Sequence, residues 1–471
     1  MTFTKGNNAA KDNPPPLRFT RKQRLILFLL LGAGFMMSVD FSILNVALPE
    51  VGAGVGLGTA ALPWIMSAYA LPAAGFTLLF GRMADLLGRR KLFLSAMVVL
   101  VIASLIGGFA VNPQMLLTAR VLQGLATAMA IPASMSLLTT TFAEGPLRAR
   151  VLGFNGALLS GGFTVGALLG GSLVSLLSWQ AAFFINVPVA LAILCLTPLL
   201  ISESKHLGQA KLDLPGAITV TSGLLAVVYA VIEKNLAFGI VGLLLLAAFW
   251  MIELRSSAPL ASVRILKRPT VKWGNLAGFV VFAMEPAMIF LTTLYLQNIL
   301  HLSPLTTGLI FGIPGLAAIA AGVIAGRFIG RFGSRKVLAV GITIQALATL
   351  PLIFLGTAPI ALAILIPALF IGFFAHVSSI VAFTVTGTSG LPNDEQGLAT
   401  GLVSMTQQVA ITIGIPALGA IAATQSAELA GIHLALSVNV ILTLVSVVFI
   451  WFGLRPRREH RTALVPEGAT A

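Results

Sequence analysis

Long apolar runs, separated by short clusters of charge, Gly and Pro, repeat along the whole chain. A helix that crosses a bilayer needs about 20 consecutive apolar residues. Fourteen runs of roughly this length are predicted as helices, at about 25–48, 60–81, 92–111, 115–139, 150–176, 180–201, 214–232, 237–254, 272–297, 305–327, 337–357, 360–386, 398–424 and 433–454. None shows the apolar/polar alternation of a barrel strand, and lipid demands that each segment satisfy its own backbone amides. The pattern therefore predicts an all-α polytopic membrane protein with 14 transmembrane helices. The first run follows Arg21-Lys22-Gln23-Arg24 as a secretory leader would, but it is too long, carries Asp40 and has no small-residue cleavage pattern, so it is expected to be retained as the first helix.

Composition agrees with this pattern. Of 471 residues, 57% are apolar and 9% charged, against about 25% charged in a soluble domain. The mean hydropathy of +0.99 excludes a water-soluble enzyme and a disordered regulator. A net charge of +14 would suggest nucleic acid as partner in a soluble protein. With both termini cytoplasmic, however, 27 of the 29 Lys and Arg fall in loops on one side of the fourteen runs, leaving Lys234 outside and Arg120 within a run. Scattered basic loops on one face are the mark of membrane orientation and not of a nucleic-acid surface. The single cysteine, Cys195, lies inside an apolar run and permits no intrachain disulfide.

Two pairs of segments resemble each other in register with the helix count. Gly81-Arg82-Met83-Ala84-Asp85-Leu86-Leu87-Gly88-Arg89-Arg90-Lys91 follows the second run, and Gly326-Arg327-Phe328-Ile329-Gly330-Arg331-Phe332-Gly333-Ser334-Arg335-Lys336 follows the tenth. Arg150-Val151-Leu152-Gly153 and Leu398-Ala399-Thr400-Gly401 each open a later helix. The expected organisation is a cytoplasmic segment (1–24), a six-helix bundle (25–201), cytoplasmic linkers with two additional helices (202–270, helices at 214–232 and 237–254), a second six-helix bundle (271–454) and a cytoplasmic tail (455–471). Parallel repeats of this kind are a transporter pattern, with the substrate site near the midplane where the halves meet.

These residues resemble the major facilitator superfamily, and within it the fourteen-helix drug:proton antiporters. Gly81 to Lys91 is similar to the signature between helices two and three, with Leu86 where a base is usual. Arg120-Val121-Leu122-Gln123-Gly124 resembles the Arg-x-x-Gln-Gly motif of helix four, and Asp40 to Pro49 the first-helix motif. Gly153, Gly162, Gly166, Gly170 and Gly171 reproduce the spacing of the exporter motif in helix five, except that its Gly-Pro is Gly166-Ala167 here. The resemblance implies a proton-driven exporter of amphipathic compounds in the cytoplasmic membrane, without a cofactor, its partners being a small-molecule substrate, protons and lipid. It also implies a cytoplasmic gate formed by Gly81, Asp85, Gly88, Arg89 and Arg90.

Three ionisable side chains lie deep in the runs: Asp40, Arg120 and Glu285. A charge at the helix centre costs about 2.5–3.5 kcal/mol on the insertion scale, which marks each as a functional candidate. Asp40 and Arg120 are expected at similar depth and within pairing reach, Asp40 to exchange the coupling proton and Arg120 to modulate it; a static buried pair is the alternative. Glu285, beside Pro286 and one turn from Phe282 and Ile289, suits a lipophilic cation, a second proton, or a structural contact. Asn45, Asn155, Asn275, Phe282, Gln297, His376, Gln407 and Gln408 are the remaining candidates for the cavity, the polar ones equally able to tie helices together. Tyr69, Trp64 and Trp273 are expected as interfacial anchors. No Gly-x-x-x-x-Gly-Lys-Ser/Thr loop is present to bind ATP. No metal cluster is expected, and a monomer is. An importer on the same fold and a non-transporting scaffold or receptor are the competing functions.

Overall fold

The computed structural model describes residues 19–142, 146–203, 213–256, 259, 265, 267–388 and 393–454. Among them all regular structure is helical. The long helices are α1 (Arg21–Val55), α2 (Pro63–Leu87), α3 (Arg89–Gly108), α4 (Pro113–Thr141), α5 (Pro146–Leu176), α6 (Ala181–Leu200), α7 (Leu214–Ile232), α8 (Leu236–Arg255), α9 (Pro269–Leu294), α10 (Pro304–Phe332), α11 (Ser334–Thr349), α12 (Leu362–Thr388), α13 (Asn393–Ala422) and α14 (Glu428–Gly453). Twelve of the described helices are long and apolar enough to cross a membrane by length and composition; α2 and α5 are not among them.

Three elements carry features that the predicted runs do not show. Helix α1 does not stop before Pro49 but continues to Val55, ending on Gly56 in the left-handed conformation (φ 77°). A proline withdraws one amide from the ladder, and close-packed neighbours let the helix run through it. Helix α6 comprises Ala181–Phe184 and Asn186–Leu200, joined by Ile185 with helical dihedrals (φ −60°, ψ −27°). At the far end of α9 the chain widens into a π-helical turn, Tyr295–Ile299.

Packing follows small residues. Gly162, Gly166 and Gly170 present one face of α5 to α1, where a Cβ on Gly166 would lie 2.7 Å from Val39 O and from the Ser42 Cβ. Ser42 Oγ donates to Phe163 O across the same contact. The opposite face, with Ala167 and Gly171, meets Pro304, Leu305 and Gly308 of α10. Without a hydrophobic driving force in lipid, such close backbone approach is what holds helices together. Helix α2 packs on α4 and α13, and α9 packs on α12, α13 and α14.

The α7–α8 hairpin packs through α7 against both α2 and α13. Thr221 is seated against Gly75 of α2, and Trp64 Nε1 donates to Glu233 Oε1 at the hairpin tip (3.3 Å). Leu71 and Ala74 of α2, Val220, Leu224 and Val228 of α7 and Phe249 of α8 form one apolar cluster, onto which Met405, Val409 and Ile413 of α13 pack.

Candidate functional site

Asp40 and Arg120 meet in the interior. Gly124 lets α4 approach α2 closely, a Cβ there falling 2.6 Å from Pro72 Cγ, and Arg120 one turn earlier is thereby carried against α2. Its Nη1 donates to Asp40 Oδ2 at 3.1 Å and to Gln123 Oε1 at 2.6 Å, its Nε donates to Ile65 O at 3.1 Å, and its guanidinium lies 4.4 Å from the Tyr69 ring centroid. Arg120 is 0% exposed and Asp40 2%. Asp40 Oδ1 accepts two further hydrogen bonds, from Gln123 Nε2 (3.0 Å) and from Asn186 Nδ2 (2.5 Å) of α6. Gln123 also reaches Ser104 of α3, and Tyr69 shares a hydrogen bond with Thr127 (2.8 Å). Five helices thus converge on one carboxylate. A buried charge is tolerable only when paired and fully hydrogen-bonded, and Asp40 satisfies both conditions.

Tyr69, expected at the membrane surface, is buried beside this pair, because the guanidinium takes up its ring face. Trp64 is engaged with the hairpin tip, as described above. Trp273 opens α9, with the Lys272 ammonium 5.0 Å from its ring.

Glu285 is 2% exposed, far from Asp40 in the chain, in the interior where α9 meets α11; the Gln345 side chain lies against its carboxyl. Glu285 Oε1, Gln345 Oε1 and the His376 Nδ1 have no hydrogen-bond partner. The Phe282 ring packs edge-on against His376, centroids 6.0 Å apart. Asn439 of α14 donates to Met284 O at the same level. In this second cluster a carboxyl oxygen itself stands unpaired, whereas in the first both Asp40 oxygens are bonded and the unpaired atoms are Arg120 Nη2 and Asn186 Oδ1.

The other cavity candidates separate. Asn45 donates to Phe41 O of its own helix. Asn275 ties α9 to α13, donating to Val271 O and accepting from Thr406 Oγ1 (2.7 Å). Gln297, a candidate for the cavity or for tying helices, sits in the π-helical turn and donates to Val46 O of α1 (2.8 Å). Widening the helix by one residue rotates Gln297 toward α1 and Asn298 toward Glu428, which it reaches at 2.7 Å. Gln407 and Gln408 are half-buried on α13. The side chains of Asp85 and Asn155 and the surroundings of Gly153 lie outside the described residues.

At the α2–α3 junction Gly88 has φ 111°, a conformation open to glycine, and the Glu203 carboxyl fills the space a Cβ would take. Glu203 accepts from the backbone N–H of Arg90 and of Lys91, both at 3.1 Å, while Arg90 Nη1 donates to Ile201 O. The negative charge at the first turn of α3 complements its dipole. Gly81 lies beside Pro132 of α4.

Sequence reasoning missed Asn186, Gln345, Asn439 and Glu203. Neutral amides in apolar runs carry no charge signal, and Glu203 acts on backbone groups far from it in sequence.

Residues 30–415 match the model of the Major Facilitator Superfamily. The chain is similar to the cephamycin export protein CmcT of Amycolatopsis lactamdurans (35% identical over 413 residues, 83% of each chain). It is also similar to the puromycin resistance protein pur8 of Streptomyces alboniger (32% identical, covering 96% of this chain and 94% of that one). The multidrug resistance protein Stp of Mycobacterium tuberculosis is 30% identical, over 85% of this chain and 76% of its own. Among solved structures, the human organic anion transporter MFSD10 superposes with a TM-score of 0.64 over 92% of this chain and all of its own, at 17% identity, a likeness of fold alone.

Proposed function

The chain belongs to the Major Facilitator Superfamily, and from that premise we propose that this transporter is a proton-coupled exporter of amphipathic small molecules, antibiotics among them, working by alternating access. The observation that carries the reading is the fully buried Asp40–Arg120 pair, met by donors from Gln123 and Asn186. A carboxylate placed there at the cost of desolvation, yet able to be neutralised by one proton, is the element such coupling requires. The names of the relatives, which speak of export of cephamycin and resistance to puromycin and to several drugs, support the direction and the substrate class. Ala167, where the exporter pattern has proline, keeps an importer as the second reading.

In this reading fourteen helices cross the membrane, α1–α6 and α9–α14 are the two halves, α7–α8 is an additional pair, and both termini are cytoplasmic. The contacts between α5 and α10, between Gly419 and Pro63, and between Gln297 and Val46 O then lie on the outer side and seal it. The burial of Glu285 in tight packing favours a proton over a drug-sized cation as what it exchanges. Gate residues Asp85, Gly88, Arg89 and Arg90 would close the inner side in the opposite state, with Glu203 as their partner across the α2–α3 turn. One proton moving down 100 mV and one pH unit supplies about 3.7 kcal/mol, enough for a gradient of two to three decades without ATP.

The test is transport in everted vesicles with an imposed pH gradient, using puromycin, a cephamycin and ethidium. Wild type should accumulate at least one of them, and Asp40→Asn should not. Undiminished accumulation by Asp40→Asn refutes the coupling role, and gradient-driven movement in the reverse sense would make the protein an importer. Glu285→Gln should lower gradient-driven transport of neutral and cationic compounds alike; loss of ethidium alone would reassign Glu285 to the substrate.

A further inference from the structure

Asp40 needs hydrogen bonds in two states, and its surroundings are unequal in their ability to provide them. As a carboxylate it accepts from Arg120 Nη1 at Oδ2 and from the amides of Gln123 and Asn186 at Oδ1. Once it carries a proton, its O–H must find an acceptor or stand unpaired in the apolar interior. At Oδ2 the neighbour is a guanidinium, which has no acceptor at all. At Oδ1 the neighbours are two amides, each able to turn its oxygen toward the carboxyl. The Gln123 oxygen is already held by Arg120 Nη1 at 2.6 Å, so turning that amide would break a charge-assisted hydrogen bond. The Asn186 oxygen is buried with no partner, on a residue that is 0% exposed.

We propose that Asn186 is the positioning residue of the proton-coupling step: its side-chain amide reverses when Asp40 is protonated, offering Oδ1 to the new O–H in place of Nδ2. The step balances simply. A proton binds Asp40 Oδ1, the Asn186 N–H···O bond is released, and an O–H···O bond to the same amide replaces it. In either state the amide leaves one of its polar atoms unpaired, the oxygen before and the nitrogen after, so reversal costs no net hydrogen bond. Asn186 lies near the start of α6, and its side chain reaches across to Asp40 of α1. The charged and titratable groups facing Asp40 among the described residues are Arg120 of α4 and Tyr69 of α2; α3 and α6 contribute the neutral Ser104 and Asn186. The inference rests on the proposed protonation of Asp40 and can fail separately from it.

The proton itself is the probe. Infrared difference spectra between acidic and neutral buffer are recorded on the full chain in nanodiscs of phosphatidylethanolamine and phosphatidylglycerol. Subtracting the Asp40→Asn spectrum isolates the carboxylic C=O band of Asp40. That band should shift to higher wavenumber in Asn186→Leu, which lacks any acceptor, and return toward wild type in Asn186→Ser, whose hydroxyl both donates and accepts. In wild type carrying isotope-labelled asparagine, one amide C=O band should move to lower wavenumber on acidification, and this movement should vanish in Asp40→Asn. The labelled measurement stands even if Asn186→Leu fails to fold. An Asp40 band unchanged in Asn186→Leu, or an asparagine band that does not move on acidification, overturns the role of Asn186 while leaving Asp40 as the proton site. Absence of any band removed by Asp40→Asn overturns both.

Discussion

Replacing Arg120 by methionine keeps an unbranched apolar stem and removes the charge, leaving Asp40 with two amide donors and no counter-ion. The charge centres of the pair are about 4 Å apart, and at an effective dielectric constant of about 20 their attraction is about 4 kcal/mol. Arg120 also donates to Ile65 O and Gln123 Oε1, bonds of about 1 kcal/mol each in net terms, part of which the loss of desolvation cost on removing the guanidinium offsets. The expected destabilisation of Arg120→Met is about 3–5 kcal/mol, as for other buried pairs broken on one side. Asp40→Ala should cost a similar amount, because it strands a guanidinium that is 0% exposed. The double variant strands neither charge and should recover most of the loss, to within about 2 kcal/mol of wild type. Equilibrium unfolding in mixed micelles gives all four corners of this cycle, and proton-driven transport in vesicles is read on the same proteins. Stability should return in the double variant and transport should not. Additive destabilisation would refute the account of a coupled buried pair. Recovery of transport along with stability would show that the pair serves only to hold α1 and α4 together.

Gly166→Leu should force α1 and α5 apart, since even its Cβ would sit 2.7 Å from Val39 O, and cost about 1–3 kcal/mol together with most transport; a fully active, stable variant would remove the tight-seam argument. Gly88→Ala combines φ 111° with the Glu203 carboxyl in its way and should cost about 1–3 kcal/mol by thermal unfolding. Glu203→Ala should speed hydrogen exchange at the Arg90 and Lys91 amides several-fold, as loss of a helix-capping acceptor does, with little change elsewhere. Trp64→Ala, freeing Glu233 and the Tyr229 ring, should raise proteolysis at the α7–α8 turn; an unchanged digestion pattern would mean that the hairpin tip needs no such tie.

The helices were legible because lipid imposes a length and a polarity on each, and Asp40 and Arg120 because a charge inside an apolar run is conspicuous. Their partners were not. Gln123 stood in the Arg-x-x-Gln-Gly segment, yet the geometry that makes it bridge Arg120 and Asp40 depends on the helical turn between 120 and 123. Asn186 looks like any polar residue near the start of a run, and only the packing of α6 on α1 brings its amide to Asp40. For Gln297 the sequence leaves cavity lining and helix linking both open, and it is the π-turn at 295–299 that accompanies its link to α1. Tyr69 is expected from its type as an interfacial anchor, whereas the neighbouring guanidinium determines its place.

The way α7 lies along the molecule decides who its neighbours are. The helix touches α2 on one flank and α13 on the other, so it spans the line where those two helices meet. Its grip is uneven: toward α2 it has an interlocked threonine and glycine and a hydrogen-bonded tryptophan, toward α13 only Met405, Val409 and Ile413. Oily side chains slide past one another without losing directed bonds, while the polar side must stay in register. The hairpin is thus fastened firmly at one rim and loosely at the other, so that α13 can shift against α7 at less cost than α2 can.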